Sequence, residues 1–180
     1  MNILFISHLC GSSFAGPTYS VPKQIEAQAT VDNIFWYNAS AKGKEEWKSL
    51  PYYHDLTEFP DESIYSLPDP FNKPDIVIVE QFYNMARSNI RKELVKGKIP
   101  YIIIPRGELT NQAQMRKRMK KSLANIFMFR KFARNALAIQ YLTEQEYIDS
   151  GDKWNSKHIV IPNGIDIPAT VKTEFSTDGI

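Results

Sequence analysis

Met1-Asn2-Ile3-Leu4-Phe5-Ile6, followed by Gly11-Ser12-Ser13-Phe14-Ala15-Gly16-Pro17-Thr18, decides how this chain is to be read. A short apolar run comes first and a loop of small residues second. Then Val21, Ile25 and Ala29 recur every four residues. A near-continuous apolar run suits a strand covered on both faces, and the four-residue recurrence suits one side of a helix. Strand, small-residue turn and helix in this order form the first unit of a parallel α/β sheet. Pro22 is tolerated only in a first helical turn, so the helix is expected to start near Thr18 to Ser20.

The same alternation continues along the chain. Ile76 to Val79, Tyr101 to Ile104 and Ile159 to Ile161 read as further buried strands, with Ala136 to Tyr141 a weaker one. Asn33 to Tyr37, carrying Phe35, Trp36 and Tyr37, reads as a sixth. Helices are expected from about Asn84 to Lys96, with Gly97 placed to end it, and from about Gln112 to Arg134. Thr143-Glu144-Gln145-Glu146 has the spacing of a capping box, in which Thr143 and Glu146 satisfy each other's backbone donors, and Ser150-Gly151 would stop that helix. The expected fold is α/β: a single Rossmann-like, doubly wound, mainly parallel sheet with helices on both faces. Residues 38 to 74 break the pattern with five of the eleven prolines and six aromatics. They read as an irregular segment with one or two short strands, packed by its aromatics, rather than as a substrate loop.

Bulk properties narrow the function classes. A chain of 180 residues supports one substantial core, and 43% hydrophobic with 23% charged residues is ordinary globular composition. A net charge of +2 implies no polyanion partner by itself. Cys10 is the only cysteine, which excludes an intrachain disulfide and fits a reducing compartment; it is expected to be buried. The first apolar run is too short for a signal peptide and no stretch approaches 18 apolar residues. A cytoplasmic location is therefore expected, with a role at the inner face of the cytoplasmic membrane left open.

In an open α/β sheet, ligands bind outside the carboxyl ends of the strands, and four pieces fall there. Gly16, Pro17 and Thr18 close the first loop, where small residues admit close backbone approach and a helix start favours an anion. Glu80 ends the strand Ile76 to Val79, where it either meets a hydroxyl or caps the following helix. Arg106-Gly107-Glu108 follows Tyr101 to Ile104. Arg106 offers planar donors for phosphate or carboxylate, Gly107 lets the chain turn, and Glu108 would orient Arg106 or a hydroxyl. The alternative is a structural Arg–Glu pair. Last, Leu109 to Thr143 holds eight basic residues, Lys117 and Lys121 among them, and no acidic one. A run of one sign asks for an anionic neighbour: acceptor phosphates, lipid headgroups or nucleic acid. His8, His54 and His158 show no metal-ligand spacing, so no metal site is expected.

Taken in order, these pieces resemble the N-terminal, acceptor-binding domain of glycosyltransferase family 4 enzymes, which have the GT-B fold. The likeness covers nearly the whole chain. It rests on the opening strand, Ala15-Gly16-Pro17, Pro74 to Val79, Pro105 to Leu109, Gln140 to Glu146 and Val160-Ile161-Pro162-Asn163-Gly164-Ile165-Asp166. The resemblance implies a retaining, usually metal-independent transfer of sugar from a nucleotide-sugar co-substrate, without a cofactor, to a sugar or lipid-linked acceptor in surface polysaccharide or lipopolysaccharide synthesis. It implies that residues 1–166 form the acceptor lobe and 167–180 lead towards a donor lobe, so these residues alone would be inactive. Arg106, Gly107 and Glu108 would face the reacting centre, with Gly16, Pro17, Thr18 and Glu80 at the substrates. Lys117 and Lys121 would meet an anionic acceptor or the membrane surface, and Asn163, Gly164 and Asp166 would form the hinge. The chain departs from the family in having Gly16-Pro17 where many members have two glycines, and Glu80 where many have histidine. A second class, a non-catalytic nucleotide- or nucleic-acid-binding module, is supported only by the basic run, which lacks interleaved aromatics; nucleic acid is not the expected partner.

Overall fold

In the computed structural model, residues 1–86, 88–115 and 128–164 are described. Their strands form one seven-stranded sheet, every pair parallel, in the order β3-β2-β1-β4-β5-β6-β7. The strands are β1 (Asn2–Ser7), β2 (Asn33–Asn38), β3 (Tyr53–Asp55), β4 (Ile76–Glu80), β5 (Tyr101–Ile104), β6 (Ala138–Tyr141) and β7 (His158–Val160). All six expected strands are present. The weak one forms because Leu137 N bonds Tyr101 O at 2.8 Å and continues the ladder of β5.

Successive side chains of a strand alternate between the sheet's faces. Leu4, Ile6, Phe35, Tyr37, Val77, Val79, Tyr101, Ile103, Ile139 and Tyr141 build one core, covered by Ile90 and Leu94 of helix α2 (Asn89–Gly97) and Phe132 and Ala133 of α4 (Arg130–Asn135). On the opposite face Ile3, Phe5, Ile34 and Trp36 meet Val21 and Ile25 of α1 (Pro17–Ala29). The doubly wound expectation therefore holds. The short helices α3 (Asn111–Met115) and α5 (Glu144–Ser150) complete the described helices.

Local chemistry moved several boundaries. Helix α1 begins at Pro17, not at Thr18 to Ser20, because Pro17 takes the first-turn position that needs no N–H donor; Pro22 then lies inside the helix. The helix expected from Asn84 is split into a 3₁₀ turn, Tyr83–Ala86, and α2, whose N-cap Ser88 accepts from Ile90 N at 3.1 Å. Gly97 does not supply the left-handed cap. Lys98 does, with φ 53°. Of the long basic helix, residues 116–127 lie outside the described residues, and α3 and α4 flank them. Within residues 38–74, two 3₁₀ turns (Glu45–Ser49 and Ile64–Ser66) and β3 bury Trp47, Tyr53, Ile64, Leu67 and Phe71, as the packed-loop reading expects. Cys10 is exposed rather than buried: Asn38 holds the backbone of its neighbour Leu9, and it is the Leu9 side chain that packs into the core.

Candidate functional site

The strand order reverses between β1 and β4: from β1 the chain steps outward through β2 and β3, then returns to the other side. In open α/β sheets ligands bind at such a point, outside the carboxyl ends of the strands. Two polar clusters sit on this rim.

The first is neutral and joins β1, β2 and β3. Asn38 Oδ1 accepts from Ser7 Oγ at 3.0 Å and Leu9 N at 2.8 Å. Its Nδ2 donates to Leu9 O at 3.0 Å, Ser40 O at 3.4 Å and Tyr53 Oη at 3.3 Å. Trp36 Nε1 donates to Ser7 Oγ at 2.8 Å. Asn38 is fully buried. It fixes the start of the loop that runs to Gly16.

The second cluster is charged and centres on Arg106. Its Nε donates to Glu80 Oε2 at 2.6 Å, and the two side chains are 4% and 0% exposed. Nη1 donates to Ser20 Oγ at 3.1 Å and Asn163 Oδ1 at 3.0 Å, and Nη2 to Gln24 Oε1 at 3.0 Å. A guanidinium has five N–H donors, so one has no partner among the described residues. The side chain leaves β5, passes over the end of β4 and reaches α1, bridging the switch point. Burial pushes the Glu80 carboxyl above the usual carboxylate range, and the nearby guanidinium opposes that push without cancelling it. Glu80 Oε1 is buried and, among the described residues, has no hydrogen-bond partner.

The backbone here is unusual. Arg106 has φ 49° and Gln81, one strand over, φ 73°, both left-handed without being glycine; Gly107 follows at φ 82°. Such conformations cost L-residues roughly 1–2 kcal/mol each and persist where surrounding bonds impose them. Those bonds are visible. Gly107 N donates to Glu146 Oε1 at 2.5 Å, and Glu146 Oε2 accepts from Leu142 N at 2.8 Å. Glu108 Oε2 accepts from Phe82 N and, at 3.1 Å, from Tyr83 N, holding the turn that follows β4.

These contacts sort the sequence-read residues. Glu80, Arg106, Gly107 and Asn163 come together. Gly16 joins them through Ser20, whose hydroxyl also donates to Gly16 O at 3.3 Å. Pro17 and buried Thr18 start α1 beside them, and exposed Gly164 follows Asn163. A Cβ added at Gly16 would meet nothing within 4 Å, so space alone does not demand a glycine there. The cap after β4 comes from Glu108, not Glu80, and Arg106 pairs with Glu80, not Glu108. Lys117, Lys121 and Asp166 lie outside the described residues, as does the boundary between 1–166 and 167–180.

Sequence reasoning missed Ser20, Gln24, Asn38 and the long reach of Glu146. The capping box is half formed: Thr143 Oγ1 accepts from Glu146 N at 3.0 Å, while the Glu146 carboxylate turns to Leu142 and Gly107 instead of Thr143. The Thr–x–x–Glu spacing locates Glu146, but a tie across 39 positions leaves no local trace. Among the described residues no group of His, Cys, Asp or Glu could hold a metal ion, and no helix is long and apolar enough to cross a membrane. Compared with models of known protein families, with curated proteins and with solved structures, the chain has no match.

Proposed function

We propose that this chain is the acceptor-binding half of a retaining, nucleotide-sugar-dependent glycosyltransferase acting in cell-surface polysaccharide or lipopolysaccharide synthesis. The observation that supports this reading is the Glu80–Arg106 pair, buried at the switch point of an all-parallel sheet and ringed by Ser20, Gln24 and Asn163. Among the described residues Glu80 keeps one unbonded carboxylate oxygen and Arg106 one unbonded N–H, an acceptor and a donor of the kind a hydroxyl takes, and since both side chains are buried a hydroxyl would reach them by displacing the exposed Asn163. The reaction class comes from the sequence resemblance, and the buried pair at the switch point supports it.

In this reading Arg106 is a pre-ordered donor at the reacting centre, and Gly107 lets the chain turn beneath it. Glu108 and Glu146 keep that turn in place. Asn163 ties the exit segment to the arginine, so movement of that segment would release a donor. The nucleotide of the donor would rest mainly on a second lobe, and transfer needs both lobes to exclude water and align the sugars. Residues 1–180 alone are therefore expected to turn over no nucleotide-sugar. The test is a two-arm titration. In one arm the purified chain meets a panel of nucleotide-sugars and turnover is measured. In the other, oligosaccharide acceptors are titrated against the chain and against Arg106→Lys. Acceptor binding weakened by Arg106→Lys, without turnover, supports the reading. Turnover by the chain alone, or binding indifferent to Arg106→Lys, removes it.

A further inference from the structure

The face of the molecule away from α1 holds a groove of about 280 Å³, apart from the Arg106 cluster, lined by Tyr65, Asn89, Lys92, Glu93, Lys96 and Gly97. Three features show that it is built rather than incidental. First, Tyr65 is fixed from below. It sits in the 3₁₀ turn Ile64–Ser66, whose flanking Ile64 and Leu67 are buried, so its ring is turned out and is 57% exposed. The Glu93 carboxylate of α2 pins that turn, accepting from Ser63 Oγ and Ile64 N at 2.7 Å each.

Second, Gly97 makes room for the tyrosine. A glycine ending a helix ordinarily serves as the left-handed cap. Here Lys98 takes that role, and Gly97 is not among the positive-φ glycines. A Cβ at Gly97 would lie 2.6 Å from the Tyr65 hydroxyl. A side chain at Gly97 would push the exposed Tyr65 ring from its present place on the groove wall.

Third, the charge is uneven. Lys92 and Lys96 stand one helical turn apart, both exposed, and among the described residues neither ammonium has a carboxylate within ion-pair distance. The one carboxylate in the lining, Glu93, is committed to Ser63 and Ile64. Asn89 uses its Nδ2 on Asp61 O at 3.3 Å, and its amide oxygen is unengaged among the described residues.

We propose that this groove binds a single-ring sugar carrying an anionic group, a sugar phosphate or a uronate. The apolar C–H face of the ring would lie on Tyr65, the phosphate or carboxylate would sit between Lys92 and Lys96, and a ring hydroxyl would donate to Asn89. Its volume lies just below the roughly 300–1,000 Å³ usual for ligand clefts, which suits one ring with its anion and not a dinucleotide. The site is independent of the Arg106 cluster and of the reaction assigned to it.

Calorimetric titration of the full chain with glucose 1-phosphate, glucose, inorganic phosphate and adenosine monophosphate tests this. Glucose 1-phosphate should bind about ten-fold more tightly than glucose or inorganic phosphate, since each lacks one of the two contacts. Tyr65→Ala and the double variant Lys92→Ala/Lys96→Ala should each remove about ten-fold. The decisive variant is Gly97→Ala. Alanine favours helix over glycine, so Tm should stay or rise, while displacement of Tyr65 should weaken binding about five-fold. Inorganic phosphate binding as tightly as glucose 1-phosphate would overturn the proposal, because the ring would then add nothing. So would adenosine monophosphate binding more tightly than the sugar phosphate, or Gly97→Ala binding unchanged.

Discussion

The two polar clusters on the sheet's carboxyl rim solve the same problem in different ways. Around Asn38 the groups that bond it are neutral and pair with one another, and the loop beyond them takes its left-handed turn on a glycine, Gly11. Around Arg106 the groups are charged, one carboxylate oxygen is left over, and the left-handed positions fall on Arg106 and Gln81. The first arrangement is what stability alone would select. The second is costlier at every point: a desolvated ion pair, a strained backbone and an orphaned acceptor. Both hold loops, so holding loops does not explain the extra cost. The charged rim sits at the switch point of the sheet, where open α/β sheets bind their ligands, and that position is what the functional proposal rests on.

The sharpest way to break the comparison is to discharge the costly rim. Glu80→Ala leaves a guanidinium buried without its counter-charge and should lower stability by about 3–5 kcal/mol. The double variant Glu80→Leu/Arg106→Met should recover most of that, since an apolar pair of similar bulk avoids both desolvation penalties. Urea unfolding of wild type, single and double variants measures both effects. A double variant as unstable as the single would make the pair a structural necessity, and the contrast between the rims would lose its meaning.

The neutral rim should respond next most strongly, and without rescue. Asn38→Leu keeps bulk but orphans Leu9 N, Leu9 O and Ser7 Oγ, each at roughly 1 kcal/mol or more, for a loss of about 3 kcal/mol in the same urea experiment. No partner substitution can restore it, because the lost partners are mostly backbone. A loss under about 1 kcal/mol would mean that water satisfies these groups.

The rims also differed in how far the sequence disclosed them. The parallel sheet was readable because each strand is a nearly pure apolar run, and burial on both faces is a local property of composition. Arg106, Gly107 and Glu80 were readable as candidates from position alone, at the ends of apolar runs. Their pairing was not. Arg106 reaches Ser20 and Gln24 across 86 and 82 positions, and no periodicity encodes such a contact. Asn38 was invisible for a further reason: an asparagine after an aromatic strand looks like the start of a turn, and only the sheet order places it over Leu9. Gly97 was legible as a helix end and misleading as to why, because its role depends on Tyr65, packed from a segment read only as irregular.

Acidity separates the two rims by pH. The folded state holds the Glu80 proton more tightly than the unfolded chain, whose value is near 4.5, so stability from this group is greatest below that value and falls as pH rises through the window above it. The slope is at most about 1.4 kcal/mol per pH unit and should vanish in Glu80→Gln. In the Asn38 cluster the titratable member is Tyr53, which acts in alkali. Burial pushes Tyr53 up, and likewise Tyr37, Tyr101 and Tyr141, the last to about 12. The unfolded chain loses these protons first, from about pH 10, so stability should fall as pH rises beyond it, by up to about 1.4 kcal/mol per unit for each tyrosine. Unfolding midpoints from pH 4 to 12, with tyrosinate absorbance in the upper range, would show two separate declines. A wild-type profile above pH 4.5 identical to that of Glu80→Gln would show that Glu80 does not carry a raised proton affinity.

The smallest effect concerns the backbone, and it exchanges the two solutions directly. Gln81→Gly gives the charged rim the residue that the neutral rim uses for its left-handed turn. Relief of roughly 1–2 kcal/mol of strain is offset by the extra chain entropy of glycine, leaving a gain of about 0.5–1 kcal/mol. Gly11→Ala makes the opposite exchange. It should cost about 1–2 kcal/mol, because φ 67° disfavours a side chain and the new Cβ would lie 3.0 Å from Lys44 Cγ and 3.2 Å from Lys44 N. Thermal melts of the two variants suffice. If Gln81→Gly is destabilising, the bond from Asn84 Nδ2 to Gln81 Oε1, 2.9 Å long, outweighs the strain, and the turn is held for structure. If it is stabilising, the chain has kept a less stable residue next to Glu80, where stability alone gives no reason to keep it.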